Sequence, residues 1–193
     1  MKLFIPLLFV FLWSTGFIGT KYGSMYAQSG DFLSLRIVLN IIVFALLMMV
    51  IKQGRMSRQQ ILHAMVAGIL LHGAYLAGVY CAIENGLSAG ITAIIVGLQP
   101  LLTSFIAMTI SKEKLKRAHI FALFLGLGGL ILVVSGSLSL EGFTLVTVLF
   151  AVLGLLGITF GTLYQKKHCQ GQPMLESVLW QYVGCVWVFL LMS

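Results

Sequence analysis

Long apolar stretches alternate with short polar or charged segments along the whole chain. A helix needs about 20 apolar residues to cross the hydrocarbon core of a bilayer, and runs of that length predict seven membrane spans. They are numbered span one to span seven in chain order: Leu3–Tyr22, Ser34–Ile51, Ile61–Ile83, Gly90–Ile110, His119–Leu138, Phe143–Tyr164 and Glu176–Leu191. The pattern therefore predicts an all-α, polytopic bundle of transmembrane helices.

The connections between the spans alternate in charge. Three of them are rich in lysine and arginine: 52–60, 111–117 and 165–172. The other three contain Asp31, Glu84 or Glu141 and no lysine or arginine: 23–33, 84–90 and 139–142. Because lysine and arginine are enriched in cytoplasmic loops, and Lys2 lies on the side of the basic loops, the N-terminus is predicted to be cytoplasmic. The two sides of the membrane are called the basic side and the acidic side below.

The composition also indicates a membrane protein. Of the 193 residues, 60% are hydrophobic and 9% are charged, which is more apolar surface than a soluble domain can bury. The net charge of +7 does not indicate a nucleic-acid partner, because ten of the 12 lysines and arginines lie at or between span ends on the basic side. Three widely spaced cysteines predict neither a disulfide framework nor a metal site. No nucleotide-binding loop, catalytic triad or zinc motif occurs, so we expect no cofactor, no metal and no enzymatic activity.

The first apolar run has two possible interpretations, because a secretory signal peptide also begins with a positive charge and an apolar core. No A-x-A-like cleavage site follows Lys2, and the run continues to Gly19, so it is interpreted as span one. Trp13 lies away from the membrane interface that tryptophans prefer, and Trp13, Phe17 and Lys21 share one helical face. These residues either pack, with Lys21 reaching the lipid headgroups, or face a cavity.

A short motif occurs twice. Residues 17–22 (FIGTKY) and 159–164 (TFGTLY) share Gly-Thr-x-Tyr, and the spacing Asp31-x4-Arg36 is echoed by Glu176-x4-Gln181. Five spans separate the copies, so the second copy crosses the membrane in the opposite direction, as in inverted-repeat transporters. A five-helix repeat implies ten helices. The sequence thus predicts a first repeat over residues 1–139 and the start of a second, incomplete repeat over 140–193, with about three helices missing after Ser193.

Several polar and aromatic side chains lie near the predicted midplane. The candidates for lining a substrate cavity are Trp13, Phe17, Asn40, His72, Tyr75, Gln99 and Thr103. Polar groups at this depth either form hydrogen bonds between helices or face a water-filled cavity. Pro100 removes a backbone donor beside Gly97 and predicts a bend in span four. Four charges are expected around the acidic-side mouth: Lys21, Asp31, Arg36 and Glu84.

Small residues four positions apart predict close helix packing in several spans. These pairs are Gly19 with Gly23, Ala64 with Gly68, Gly73 with Ala77, Ala122 with Gly126, and Gly157 with Gly161. Such pairs indicate a tight bundle but carry no information about a substrate.

Taken in order, these motifs resemble the EamA-domain branch of the drug/metabolite transporter superfamily. The resemblance rests on LWSTGFIGTKYG in span one, Arg36 entering span two, GLSAGITAIIVGLQPLLTSF in span four, and the basic SKEKLK after it. It implies ten helices in two inverted repeats, and secondary transport of small metabolites through a central cavity in the bacterial inner membrane. Span one lacks the embedded glutamate of the related small multidrug-resistance proteins, which argues against proton-coupled export of cationic drugs in their manner.

The leading hypothesis is therefore a secondary transporter, and more specifically an exporter, of small organic metabolites with amino-acid-like chemistry. It would work by alternating access between the two sides, with a small-molecule substrate and the lipid bilayer as its partners. The alternative is a non-transporting membrane subunit or degenerate remnant that acts only by helix packing. The sequence does not indicate an oligomeric state, a transport direction or a coupling ion.

Overall fold

Spans two to seven form a bundle of helices in the computed structural model, which describes residues 7–8, 11, 22, 29–51, 54–110, 117–136 and 142–192. Helices joined by short turns and loops make up these residues, and no strand occurs among them, which confirms the all-α, polytopic class. Most of span one lies outside the described residues. The predictions for Trp13, Phe17 and Lys21, and for the pair Gly19 and Gly23, therefore stay predictions.

The helices match the predicted spans with small shifts at their ends. Span two is Ser29–Val50, span three runs from Arg58 to Glu84, span four comprises Ala89–Gly97 and Gln99–Ile110, span five is Arg117–Ser135, span six is Leu145–His168 and span seven is Met174–Leu190. Within the described ranges, four helices are long and apolar enough to cross a membrane: Gly30–Val50, Arg58–Glu84, Ala89–Thr109 and Leu145–His168. Spans five and seven contain the shorter apolar helices Ile120–Leu132 and Met174–Leu190.

Polar side chains stabilise the starts of spans three and six, and basic side chains stabilise the end of span six. Ser57 and Gln60 form a capping box at the start of span three, and Thr144 and Thr147 form another at the start of span six. Each box satisfies backbone N–H groups that have no partner within the helix. Span six continues past its predicted end to His168, because its last turn carries basic residues that interact favourably with the negative end of the helix dipole.

Span three is the centre of the bundle and packs against both span six and span seven. Span two packs on span seven, span four packs on span six, and span five packs on span four. The central contacts are so close that the backbones meet at glycines. A Cβ atom on Gly78 would lie 2.5 Å from the backbone nitrogen of Gly154, and one on Gly184 would lie 2.7 Å from Cα of Met65.

The predicted role of small residues in this packing is confirmed for four glycines: Gly68, Gly73, Gly157 and Gly161 each face a neighbouring span at close range. Ala122 and Gly126 are different. They line an apolar cleft of about 250 Å³ between spans four and five, and nothing lies within 4 Å of a Cβ atom built on Gly126.

On the basic side, the loop before span three is bound to the start of span seven. The backbone N–H of Met56 donates a hydrogen bond of 2.9 Å to Oε2 of Glu176. We expect Glu176→Ala to lower the free energy of unfolding by about 1–3 kcal/mol, because it removes a charged acceptor from a half-buried donor. Thermal unfolding of the purified protein in detergent measures this.

The matched control is Asp31→Ala, because Asp31 is also an acidic residue in the first turn of its helix but is exposed. Both substitutions lose the same favourable interaction with the helix dipole, and only Glu176→Ala loses the bond to Met56. Equal unfolding midpoints for the two variants would contradict the assignment.

Candidate functional site

His72 lies in the middle of span three, inside a π-helical turn over Ile69–Ala74. Such turns are rare and occur frequently at functional sites. Span six accommodates the widened turn because glycines occupy the positions of span six that face it. A Cβ atom on Gly157 would lie 3.0 Å from the carbonyl oxygen of Leu70, and one on Gly161 would lie 2.8 Å from Cγ of Leu71.

The ring of His72 packs against span seven. It stacks on Tyr182 with ring centroids 4.7 Å apart and an interplanar angle of 27°, and Tyr182 in turn contacts Phe44 of span two at 5.7 Å. The side chain of Gln181, which is 2% exposed, lies beside His72. Three helices therefore meet around this imidazole.

Span two contributes a polar edge to the same region. Arg36, Asn40 and Phe44 follow one another at intervals of four residues and so share a helical face. The Arg36 guanidinium is exposed, and it lies close enough to His72, Tyr75 and Tyr182 for its charge to act on them. Asn40 lies between Arg36 and Phe44 on this face. We call the resulting set the central polar cluster: Arg36, Asn40, His72, Tyr75, Gln181 and Tyr182.

Polar groups continue from the central polar cluster along span seven towards the basic side. Gln181 Nε2 donates to Ser177 Oγ at 3.5 Å, and Ser177 Oγ donates to Gln172 Oε1 at 3.0 Å. Gln172 Nε2 donates to the carbonyl oxygens of His168 at 3.3 Å and Gln60 at 3.5 Å. Ser177 and Gln181 are both buried, and this chain satisfies their hydrogen-bonding groups in the interior.

Span four holds a separate polar pair. Its helix is interrupted at Leu98, between Gly97 and Pro100, where the sequence predicts a bend. Gln99 Nε2 donates to Thr103 Oγ1 at 3.3 Å in the following helix. Among the described residues, no hydrogen bond or ring contact joins this pair to His72.

Of the sequence candidates, His72 and Tyr75 lie one turn apart in span three, and Asn40 lies on the face of span two that carries Phe44. Gln99 and Thr103 bond each other in span four. Asp31 and Glu84 are exposed at span ends on the acidic side. Sequence reasoning missed Gln181 and Tyr182 as site residues. The echo of Asp31-x4-Arg36 in Glu176-x4-Gln181 could have found Gln181, because it makes Gln181 the counterpart of Arg36 in the repeat.

Outside the spans, Cys169 follows the end of span six. Burial raises the pKa of its thiol, and a hydrogen bond with Gln172 acts in the opposite direction. No group of three or more histidine, cysteine or acidic side chains in the described part of the chain could hold a metal ion.

Comparison with known proteins identifies the family. Residues 2–135 match the family described as "EamA-like transporter family". The chain belongs to this family. It is also 21% identical over 193 residues to a Salmonella typhimurium protein named "Probable amino-acid metabolite efflux pump". This similarity covers 98% of the chain and 62% of that EamA relative's length. No solved structure matches the chain.

Proposed function

We propose that this EamA-like protein is a secondary transporter that exports small organic metabolites, including amino-acid-like compounds, by alternating access. The observation that carries the proposal is the central polar cluster. It combines an imidazole, amides and phenol groups where spans two, three and seven meet, with the exposed Arg36 guanidinium on its acidic side. Such groups are costly in hydrocarbon and face a bundle interior or a water-filled cavity.

The repeat supports the same function. In the predicted inverted repeat, spans two and seven are counterparts. Tyr182 of span seven stacks on His72, and Arg36 of span two lies close enough for its charge to act on it. Substrate sites of inverted-repeat transporters lie near the midplane, at the interface between repeats. The named activity of the Salmonella relative gives the substrate class in this proposal.

The charge distribution supports an orientation. Lys166 and Lys167 end span six, and Arg55 and Arg58 begin span three on the same side. Because positively charged loops remain in the cytoplasm, the basic side is cytoplasmic in our proposal and the protein resides in a bacterial inner membrane.

An export assay tests the proposal. Bacteria that express the chain and are fed dipeptides should release the excess amino acids several-fold faster than cells with an empty vector, because hydrolysis raises the cytoplasmic concentration. Leu132→Ala is the control, since Leu132 is 76% exposed on span five and should export normally. Export at the vector rate for every compound, with the protein present in the membrane, would favour the non-transporting subunit.

A further inference from the structure

Three rings meet where spans three and six end on the basic side. Nδ1 of His63 lies 2.7 Å from the Tyr164 hydroxyl, at strong hydrogen-bonding distance. His63 stacks on His168 with centroids 4.7 Å apart and an interplanar angle of 16°, and Tyr164 contacts His168 at 4.6 Å. We call His63, Tyr164 and His168 the aromatic latch. It lies outside the central polar cluster.

The two halves of span three are held in different ways. The acidic-side half, Tyr75–Glu84, lies against span six with its backbone, because a Cβ atom on Gly78 would meet the Gly154 nitrogen. The basic-side half, Arg58–Gly68, meets the backbone of span seven, where Gly68 faces Gln181 and Gly184 faces Met65. In the described part of the chain, the direct hydrogen bond and ring contacts that join this half to span six are those of the aromatic latch. Gln172, beyond the end of span six, bridges the carbonyl oxygens of Gln60 and His168.

The π-helical turn at Ile69–Ala74 separates these two halves. A change in the hydrogen-bonding pattern within a helix is a place where the helix can bend. The basic-side half of span three and span seven share close backbone contacts, so they would move together. Span seven also carries Gln181 and Tyr182, so such a movement would expose the central polar cluster to the basic side.

We propose that the aromatic latch is the basic-side gate of this transporter. When the latch is closed, it holds the basic-side half of span three against span six. When it opens, that half swings about the π-helical turn together with span seven and admits water and substrate to His72. The gate rests on the proposed function, and it gives a role to Tyr164, the tyrosine of the repeated Gly-Thr-x-Tyr motif. The counterpart, Tyr22, is exposed.

Cys185 can report on the gate without any substrate. It is fully buried in span seven, and its Cβ lies 3.7 Å from a Cβ atom built on Gly73 in the π-helical turn. The full chain carrying Cys81→Ser and Cys169→Ser keeps Cys185 as its remaining thiol. In lipid nanodiscs, the rate of its reaction with a charged methanethiosulfonate measures how often water reaches the central region.

Tyr164→Phe in this background should raise the labelling rate of Cys185 about five-fold, the change expected when one hydrogen bond that closes the gate is lost. His63→Ala should raise it further, since it also removes the stack on His168. His63→Asn, which keeps a side chain that can form a hydrogen bond with Tyr164, should raise it less. The matched control is Phe160→Leu, because Phe160 is also an aromatic residue of span six but is exposed.

A parallel chain that keeps Cys169 and carries Cys81→Ser and Cys185→Ser separates the gate from local fraying of span six. Faster labelling of Cys169 without faster labelling of Cys185 would overturn the gate, as would unchanged labelling in folded Tyr164→Phe and His63→Ala. If Tyr164→Phe and His63→Ala raise the labelling rate of Cys185 but the protein exports nothing, the gate is supported and the proposed function is overturned. Normal export, with a Cys185 labelling rate that Tyr164→Phe and His63→Ala leave unchanged, would overturn the gate and leave the proposed function intact.

Discussion

Tyr182→Ala should reduce the initial rate of export at least about ten-fold while the protein still inserts in the membrane. The substitution removes the ring that stacks on His72 and contacts Phe44. It thereby loses two aromatic contacts and opens a void among three helices. A loss of about 1.4 kcal/mol of substrate or transition-state binding corresponds to ten-fold. Initial export rates, normalised to the amount of protein in the membrane, measure the effect.

Tyr182→Phe is the matched variant, because it keeps the ring and removes only the hydroxyl. It should retain most of the export rate if stacking on His72 is what matters. His72→Ala should lose export as severely as Tyr182→Ala, since each residue holds the other. The double variant should be little worse than either single one, as expected for residues that act together.

An export rate within about two-fold of the parent for both alanine variants would show that the central polar cluster is not on the substrate path. The sequence offers the next candidates. Trp13→Ala and Gln99→Ala are expected from their depth in spans one and four to abolish flux. Loss of export in those variants alone would place the substrate site between spans one and four.

The fold could largely be predicted from the sequence because membrane insertion depends on local properties. A run of about 20 apolar residues is long enough to span a bilayer wherever it occurs in a chain. The predicted ends missed the observed ones by up to five residues at the start of span two, where the helix begins at Ser29 and Asp31 occupies its first turn. An acidic residue favours a helix N-terminus, but hydropathy alone counts it as loop.

The candidate site was only partly predictable, because sequence gives the depth of a residue and not the direction it faces. His72 and Gln99 lie at similar depth, yet one faces span seven and the other bonds Thr103 of its own helix. Tyr182 lies among the large apolar residues of span seven, and its sequence position does not show whether the ring faces lipid or a neighbouring helix. The π-helical turn was unpredictable from span three itself, since the space for it is provided by Gly157 and Gly161 of span six.

Gly78→Ala should destabilise the protein by about 1–3 kcal/mol or more, the cost of overpacking an interior contact. The added Cβ atom would lie 2.5 Å from the Gly154 nitrogen and 2.6 Å from the Phe150 carbonyl oxygen. Both atoms belong to the backbone of span six, so no side-chain rotation relieves the clash. Spans three and six must move apart, and with them the packing that supports the π-helical turn. Unfolding midpoints in detergent measure the loss.

Two further glycines give this prediction a graded control. A Cβ atom on Gly154 would lie 3.1 Å from the Tyr75 carbonyl oxygen, a milder contact, and one on Gly128 would have nothing within 4 Å. Gly128→Ala should therefore leave stability unchanged or raise it, because alanine is the better helix former. The expected order of destabilisation is Gly78→Ala, then Gly154→Ala, then Gly128→Ala. If Gly78→Ala unfolds at the same midpoint as Gly128→Ala, the two backbones are not in contact, and span three must be held in the bundle by its side chains.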